Sequence, residues 1–191
     1  MDQMVFAQPG LIPQMSGRLT HLRVMGVMVF ADHFSDQVYV YLMKDLMLAE
    51  TLMAKYAFVK YLASLGVESK AYHANGHFAD KGFRDDCILS NQTITFCGVG
   101  SHRQNGIADW KIKDITLGAW TSLLHAKEMF HEYISTILWP FAVKCYEDRI
   151  NHLVHCANGR TPFETLAGLD SAPIIISDLH TFGCLCYVLD H

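Results

Sequence analysis

Four aspartates stand where carboxylates could do chemistry, at the ends of predicted strands or near the start of a helix. Asp2 lies at the start of the chain, Asp32 follows an apolar strand, Asp80 follows an Asn-Gly turn, and Asp109 lies near the start of a long helix. Open α/β sheets bind ligands at strand ends, and Mg²⁺ prefers carboxylate oxygens. A lone aspartate at such a place is more often a turn or helix-capping residue, so spacing alone does not separate a metal site from ordinary structure.

A group of basic side chains surrounds the last of these aspartates. Arg103, Lys111 and Lys113 flank Asp109, and Lys113 is four residues beyond it, so it projects from a similar helix face. This cluster suits phosphate contact, and it equally suits an ordinary solvated helix face. The neighbouring Trp110 could stack on a base or pack against the following helix.

The elements that must position these side chains follow an α/β order. Alternating apolar and β-branched residues predict strands over residues 24–31, 38–43, 69–73 and 93–97. Apolar residues at steps of three and four predict helices over 48–66, 80–89, 108–123 and 132–154. A final apolar run over 184–189 is compatible with an edge strand. We place a soft boundary after residue 157, between an α/β core (1–157) and a loop-rich C-terminal extension (158–191).

Composition limits the classes of function. The 191 residues are 51% apolar and 18% charged, which fits a globular domain with a substantial core. The formal charge of −4 supplies no global attraction for nucleic acid, so DNA binding would need a local basic cluster or bound cations. No apolar stretch approaches the roughly 18 residues of a membrane span, and no signal peptide is apparent, so we expect a soluble, intracellular protein that makes no membrane contact.

Four segments, in order, resemble the integrase region of copia-type LTR retrotransposons: YHANGHFADK, GVGSHRQNGIADWKIKDI, ILWPFAVK and HTFGCLCYVLD. The match runs over essentially the whole chain. The resemblance implies an RNase H-like α/β fold, a mixed sheet of about five strands flanked by helices, with a helical and loop-rich C-terminal extension. It also implies a polynucleotidyl transferase of DNA integration that binds retroelement ends and target DNA, assembles as a homo-oligomer and works in the nucleus.

The resemblance also implies a site. In that family a first-strand carboxylate, an Asp in a His-Ala-Asp-Asn-Gly motif and a Glu about thirty-five residues later bind two divalent metals. Here Asp2 matches the first carboxylate, Ala74 stands where the second is expected, and Asp109 stands in the place of the Glu. Asp32 matches a recurrent family aspartate that is not a ligand and is expected to support its loop. The implied catalytic and metal residues, for Mg²⁺ or Mn²⁺, are therefore Asp2 and Asp109. The implied nucleic-acid contacts are Arg103, Asn105, Lys111 and Lys113.

These departures predict impaired catalysis. Ala74 supplies no oxygen to a metal, and an aspartate at 109 shortens the reach of a glutamate by about 1.5 Å. Misplacement of about 1 Å can cost on the order of 100-fold in rate. Asn75 or Asp80 could approach the missing position, although an amide offers no charge. Three hypotheses stay open: an active transferase with a recruited ligand, a nucleic-acid-binding or assembly module without strand transfer, and a decayed reading frame with no retained role.

Overall fold

The computed structural model describes residues 1–13, 20–78, 80–98, 105–154, 159–168 and 179–184. The strands are β1 (Asp2–Leu11), β2 (Arg23–Ala31), β3 (Val38–Met43), β4 (Ala71–Ala74) and β5 (Thr93–Phe96). The α-helices are α1 (Leu48–Ser64), α2 (Lys81–Leu89), α3 (Gly106–Met129), α4 (Trp139–His152) and α5 (Pro162–Ala167). Two short 3₁₀ helices cover Gly76–Phe78 and Thr136–Leu138. None of the helices in these ranges is long and apolar enough to cross a membrane.

The strands assemble as two sheets. One contains β1, β2 and β3 in antiparallel order, and the other pairs β4 with β5 in parallel. A hydrogen bond from the Met1 amino nitrogen to the His73 carbonyl oxygen, 2.6 Å long, connects them. The expected single sheet of about five strands is therefore corrected to three strands plus two. The physical reason is that β1 begins beside the end of β4, so the two strands barely overlap.

The buried strand β2 divides the core into two layers. Its residues alternate between the two faces of the sheet, as the period of a strand requires. Met28 and Phe30 belong to the apolar cluster beneath α1 and α2, whereas Val27 and Val29 belong to the cluster beneath α3 and α4. Because both faces are covered, β2 is a nearly continuous apolar run. The result is a helix–sheet–helix sandwich.

Two elements differ from the sequence expectation. The helix expected over 132–154 begins at Trp139, because Pro140 lacks an N–H and suits a first helical turn rather than a helix interior. The strand β1 was not predicted as a ten-residue element, and its register with β2 shifts between Val5 and Gly10. Gly10 is required there, since a Cβ atom would lie 2.3 Å from the Pro140 Cγ atom.

The C-terminal extension contacts the core through α5. Thr161 caps this helix in a reciprocal capping box with Glu164, and the Phe163 ring lies 5.1 Å from the His152 ring. Leu166 packs against the cluster beneath α1. The boundary placed after residue 157 falls outside the described residues and stays a prediction. The possible edge strand over 184–189 is also outside them, apart from Cys184.

The outer edge of β3 is paired by side chains of α4 instead of by another strand. Asn151 accepts from the Val38 N–H at 2.9 Å and donates to the Val38 carbonyl at 2.7 Å. Glu147 accepts from the Val40 N–H at 2.7 Å, and the Lys144 ammonium donates to the Val40 carbonyl at 3.1 Å. Unpaired strand edges attract other chains, so this helix both satisfies and protects the edge.

Replacing Asn151 tests this edge. Asn151→Ala is expected to lower the free energy of unfolding by about 2–4 kcal/mol, because it removes the partners of a buried N–H and a buried carbonyl. Chemical denaturation measures the change. Asp148→Asn on the exposed side of the same helix is the control, with an expected change within about 0.5 kcal/mol. Equal losses from both variants would contradict the edge-pairing role.

Candidate functional site

Asp2, the first residue of β1, is 5% exposed, and protein donors engage both of its carboxylate oxygens. The Gln3 N–H donates to Oδ1 at 2.8 Å, and the Asn105 side-chain amide donates to Oδ2 at 2.9 Å. Asn105 directly precedes α3 and is itself buried. Each carboxylate oxygen therefore accepts from one internal donor.

This contact corrects the expectation for Asn105. The resemblance implied that it binds nucleic acid, but in the structure its amide is buried against Asp2. Sequence reasoning missed this role because the partners are 103 residues apart and no local pattern links them. The amide offsets part of the buried negative charge, as hydrogen bonds to a carboxylate do.

The structure brings Asp109 to the same neighbourhood as Asp2. Asp109 is exposed in the first turn of α3. Burial lowers the pKa of the Met1 amino group, and the charges of Asp2, Cys97 and Asp109 act in the opposite direction. The charges of both predicted carboxylates thus act on the Met1 nitrogen, which bonds to β4.

Ala74, the last residue of β4, is fully buried within the cluster beneath α1 and α2. Its carbonyl accepts from the Cys97 N–H at 3.0 Å. The side chain therefore fills the apolar core and offers nothing to a cation. The position predicted for a shared metal ligand is structurally part of the core.

The two alternative donors have local structural roles. Asp80 caps α2 by accepting from the Gly82 N–H at 2.7 Å, and the Asn75 side chain accepts from the Gly76 N–H at 2.7 Å. Asp32 accepts from both the N–H and the hydroxyl of Ser35 at 2.7 Å, so it supports the β2–β3 loop as expected. For Asp80, the interpretation as a helix-capping residue is confirmed.

A pair of Mg²⁺ ions does not fit the residues present. Two ions about 4 Å apart need several converging oxygen donors, of which carboxylates also offset the metal charge. Throughout the described ranges, no three His, Cys, Asp or Glu side chains are grouped so that they could hold a metal. Ala74 contributes no donor, so Asp2 and Asp109 are the only carboxylates left of the three that the resemblance implies.

Sequence reasoning missed a hydrogen-bonded group of three side chains, those of His73, Thr95 and Cys97, next to Ala74. The His73 Nδ1 atom lies 2.8 Å from the Thr95 hydroxyl, and its Nε2 atom lies 3.4 Å from the Cys97 Sγ atom. The parallel pairing of β4 with β5 places His73 opposite Thr95. Strand prediction could therefore have suggested the first contact. These two contacts fix the orientation of the His73 imidazole, next to the hydrogen bond between Met1 and the His73 carbonyl.

The basic cluster is only partly at the surface. The Lys111 ammonium is 2.7 Å from the Asp36 carboxylate, and the lysine side chain is 2% exposed. This corrects both earlier interpretations of Lys111, since each needed a solvated side chain. Trp110 is 58% exposed, with the Lys111 ammonium 5.0 Å from its ring centroid, so it does not pack into the core. Lys113 is exposed, and Arg103 lies outside the described residues.

Comparison with known proteins shows the fold. No family model and no curated protein matches the chain. The HTLV-2 integrase catalytic core domain, solved with magnesium in a trimeric form, is similar at a TM-score of 0.54 and 14% identity, over 86% of this chain and 94% of that one. The BIV integrase catalytic core domain gives 0.53 and 13%, over 73% and 83%. The integrase in the simian T-cell lymphotropic virus intasome with the PP2A subunit B56 gamma gives 0.55 and 16%, over 91% and 56%.

These similarities establish an α/β fold of the integrase catalytic-core type, which is RNase H-like. At 13–16% identity they show the fold alone. Function must be argued from the site, because one fold supports many activities.

Substitution of Asp36 tests the buried ion pair. Asp36→Asn is expected to destabilise the protein by about 1–3 kcal/mol, because it leaves the Lys111 ammonium buried without its counter-ion. Solvent screens the half-exposed Asp36 carboxylate, so the loss is smaller than for a fully buried pair. Asparagine tolerates the φ of +64° at this position, so backbone strain does not change. Thermal unfolding measures the loss, and Lys111→Met in the Asp36→Asn background should recover most of it. A double variant no more stable than Asp36→Asn would show that the ion pair is not the cause.

Proposed function

We propose that this chain is a retrotransposon integrase core that binds DNA but does not perform strand transfer. The fold and the four motif segments support the integrase type. The observation that carries the loss of chemistry is Ala74, which is fully buried where the shared carboxylate is expected. In-line displacement at a phosphodiester depends on metal ions held by such carboxylates. The chain therefore keeps the fold but lacks a complete set of carboxylates to hold the metal ions.

The remaining carboxylates support the same proposal. Asp2 accepts hydrogen bonds from two internal donors, and Asp109 lies one methylene short of a glutamate in the place of the third ligand. The HTLV-2 core domain is described in complex with magnesium. In this chain Mg²⁺ or Mn²⁺ would have only Asp2 and Asp109 as carboxylate ligands from the family's set. We propose that binding is weak or lost.

DNA contact is assigned to the exposed start of α3. Lys113 is exposed one helical turn from Trp110, whose ring is also exposed. A cation beside an exposed aromatic ring suits a phosphate and an unpaired base. Since the net charge is −4, affinity should depend on this local patch and fall steeply with salt. The proposed DNA partner also motivates a nuclear location.

Self-association is a further part of the proposal. The HTLV-2 core domain is described in a trimeric form. Leu117, Trp120 and Leu124 on α3 are each about half exposed and lie three and four residues apart, so they form one apolar stripe on the helix. A homo-oligomer would cover such side chains.

Metal binding tests the proposed loss of chemistry. Calorimetry with Mg²⁺ or Mn²⁺ should show no site on the natural chain. Ala74→Asp should destabilise the metal-free protein by about 3 kcal/mol, because it buries a charge. In the Ala74→Asp, Asp109→Glu double variant, millimolar Mn²⁺ should restore much of the lost stability and give metal-dependent DNA nicking.

The control is Ala71→Asp, which places the same side chain on an exposed position of β4. It should gain no metal response. Tight binding of two ions by the natural chain, abolished by Asp2→Asn, would contradict the proposal.

Salt-dependent DNA binding tests the second half of the proposal. Lys113→Gln should weaken binding about threefold to tenfold and reduce the slope of log affinity against log salt by about one unit. Fluorescence anisotropy with a labelled oligonucleotide measures both quantities. Lys60→Gln, an exposed lysine on α1, is the matched control and should change neither. If the natural chain shows no salt-dependent binding, a decayed reading frame without a retained role becomes the better interpretation.

A further inference from the structure

The outer face of the β4–β5 sheet carries side chains that can do chemistry. Tyr72 and Ala74 of β4 belong to the apolar cluster beneath α1 and α2. Because alternate residues of a strand face opposite ways, His73 lies on the other face of this sheet, away from that cluster. The parallel register places Thr95 opposite His73. His73 is half-buried and Thr95 is exposed, so solvent reaches this face.

Cys97 extends the same face by one step. Its N–H donates to the Ala74 carbonyl at 3.0 Å, which continues the parallel ladder beyond Phe96. Phe96 packs against the buried cluster, so Cys97 faces the same side of the sheet as Thr95. Cys97 has a free thiol and is half-buried, whereas Cys87 is fully buried. The residue therefore keeps surface that a small molecule can reach.

The hydrogen bonds indicate which nitrogen of the His73 ring carries the proton. The Thr95 hydroxyl donates to the Tyr72 carbonyl at 3.3 Å. Since a hydroxyl has one hydrogen, the Thr95 oxygen then accepts from His73 Nδ1, which is 2.8 Å away. A neutral imidazole protonated on Nδ1 has its electron pair on Nε2, and the Cys97 Sγ atom lies 3.4 Å from that nitrogen. The thiol therefore donates to His73 Nε2.

This order of contacts is that of an activated nucleophile. Such a group consists of a nucleophile within hydrogen-bond reach of a base, and of a third side chain that orients the base. The thiolate, not the thiol, is the reactive form of cysteine. His73 Nε2 is placed to take the thiol proton, and the Thr95 hydroxyl holds the ring in that orientation. Disulfides are a suitable class of electrophile, because a thiolate displaces one of their sulfurs directly.

We propose that Cys97 is a nucleophilic thiol that forms mixed disulfides with small disulfide compounds, with His73 as its base and Thr95 as a positioning residue. The thiol proton moves to His73 Nε2 while the Cys97 sulfur bonds to one sulfur of the compound. The bond between the two sulfurs of the compound breaks, and the departing sulfur takes the proton from Nε2. The disulfide is itself the oxidant, so no other reactant is consumed. This modification site depends on neither metal binding nor DNA binding.

The experiment measures how fast individual cysteines of the full chain react with hydroxyethyl disulfide, a small neutral probe. Mass spectrometry of the resulting peptides gives separate rates for Cys97 and for Cys145, which is also half-buried. In the folded chain Cys97 should react at least about tenfold faster than Cys145, because a positioned base contributes that much or more. In denaturant the two rates should be similar, since the fold supplies the base. Cys97→Ser should remove the fast reaction.

Two pairs of variants distinguish a base from a packing contact. His73→Gln should slow the reaction of Cys97 about tenfold or more, whereas His125→Gln, at an exposed position of α3, should leave it unchanged. Thr95→Val removes the hydroxyl that orients the ring and should slow the reaction, whereas Thr95→Ser keeps a hydroxyl and should preserve the rate. The proposal is overturned if Cys97 reacts no faster than Cys145. It is also overturned if the two histidine variants react alike, or if the two Thr95 variants do.

Discussion

The burial of β2 on both faces is the constraint on which the rest of the structure depends. Because its alternate side chains enter two separate apolar clusters, helices must cover the sheet from both sides. This arrangement places the start of α3 against the start of β1, so the Asn105 amide reaches the Asp2 carboxylate. The geometry of the candidate site therefore follows from the packing of helices on both faces of β2.

The buried charged side chains of Asp2, Lys111 and Glu147 each have a hydrogen-bond or ion-pair partner inside the protein. Asp2 is held by the Asn105 amide, and Lys111 by the Asp36 carboxylate. Burial raises the pKa of Glu147, whose carboxylate accepts from an N–H of β3. Groups of this kind are costly to bury unless paired, so each contact is a condition for the fold. Recruiting Lys111 for a ligand would mean breaking such a contact.

The apolar periodicity of the sequence was sufficient to predict those strands and helices whose pattern lies within a single segment. The strands β2 and β3 and the helices α1 and α2 follow apolar patterns within their own segments. Lys111 shows the limit of judging a residue by its charge. It lies three residues after Ala108 and four before Ile115, so the same helical period that predicts the buried face includes it. Attention to position rather than charge would have predicted a buried lysine.

Other features depend on contacts that no local pattern encodes. The β1 segment contains Gln8, Pro9 and Gly10, which interrupt its alternation, and Gly10 is explained only by close packing against Pro140 of a distant helix. The Asp2–Asn105 contact likewise joins opposite parts of the chain. Such long-range pairs are fixed by the assembled layers, so the sequence could predict the elements around the site but not its hydrogen bonds.

On the proposed function, the absence of the second carboxylate also has a stabilising consequence. Three converging carboxylates repel one another unless cations hold them, so a complete site of this type is under electrostatic strain in its metal-free state. Here Ala74 joins the apolar core, and the Asn105 amide offsets the charge of Asp2. The alanine that removes the second carboxylate therefore also leaves a junction with less charge repulsion in the absence of metal. A fold that does not need cations at this position can keep its surface for binding.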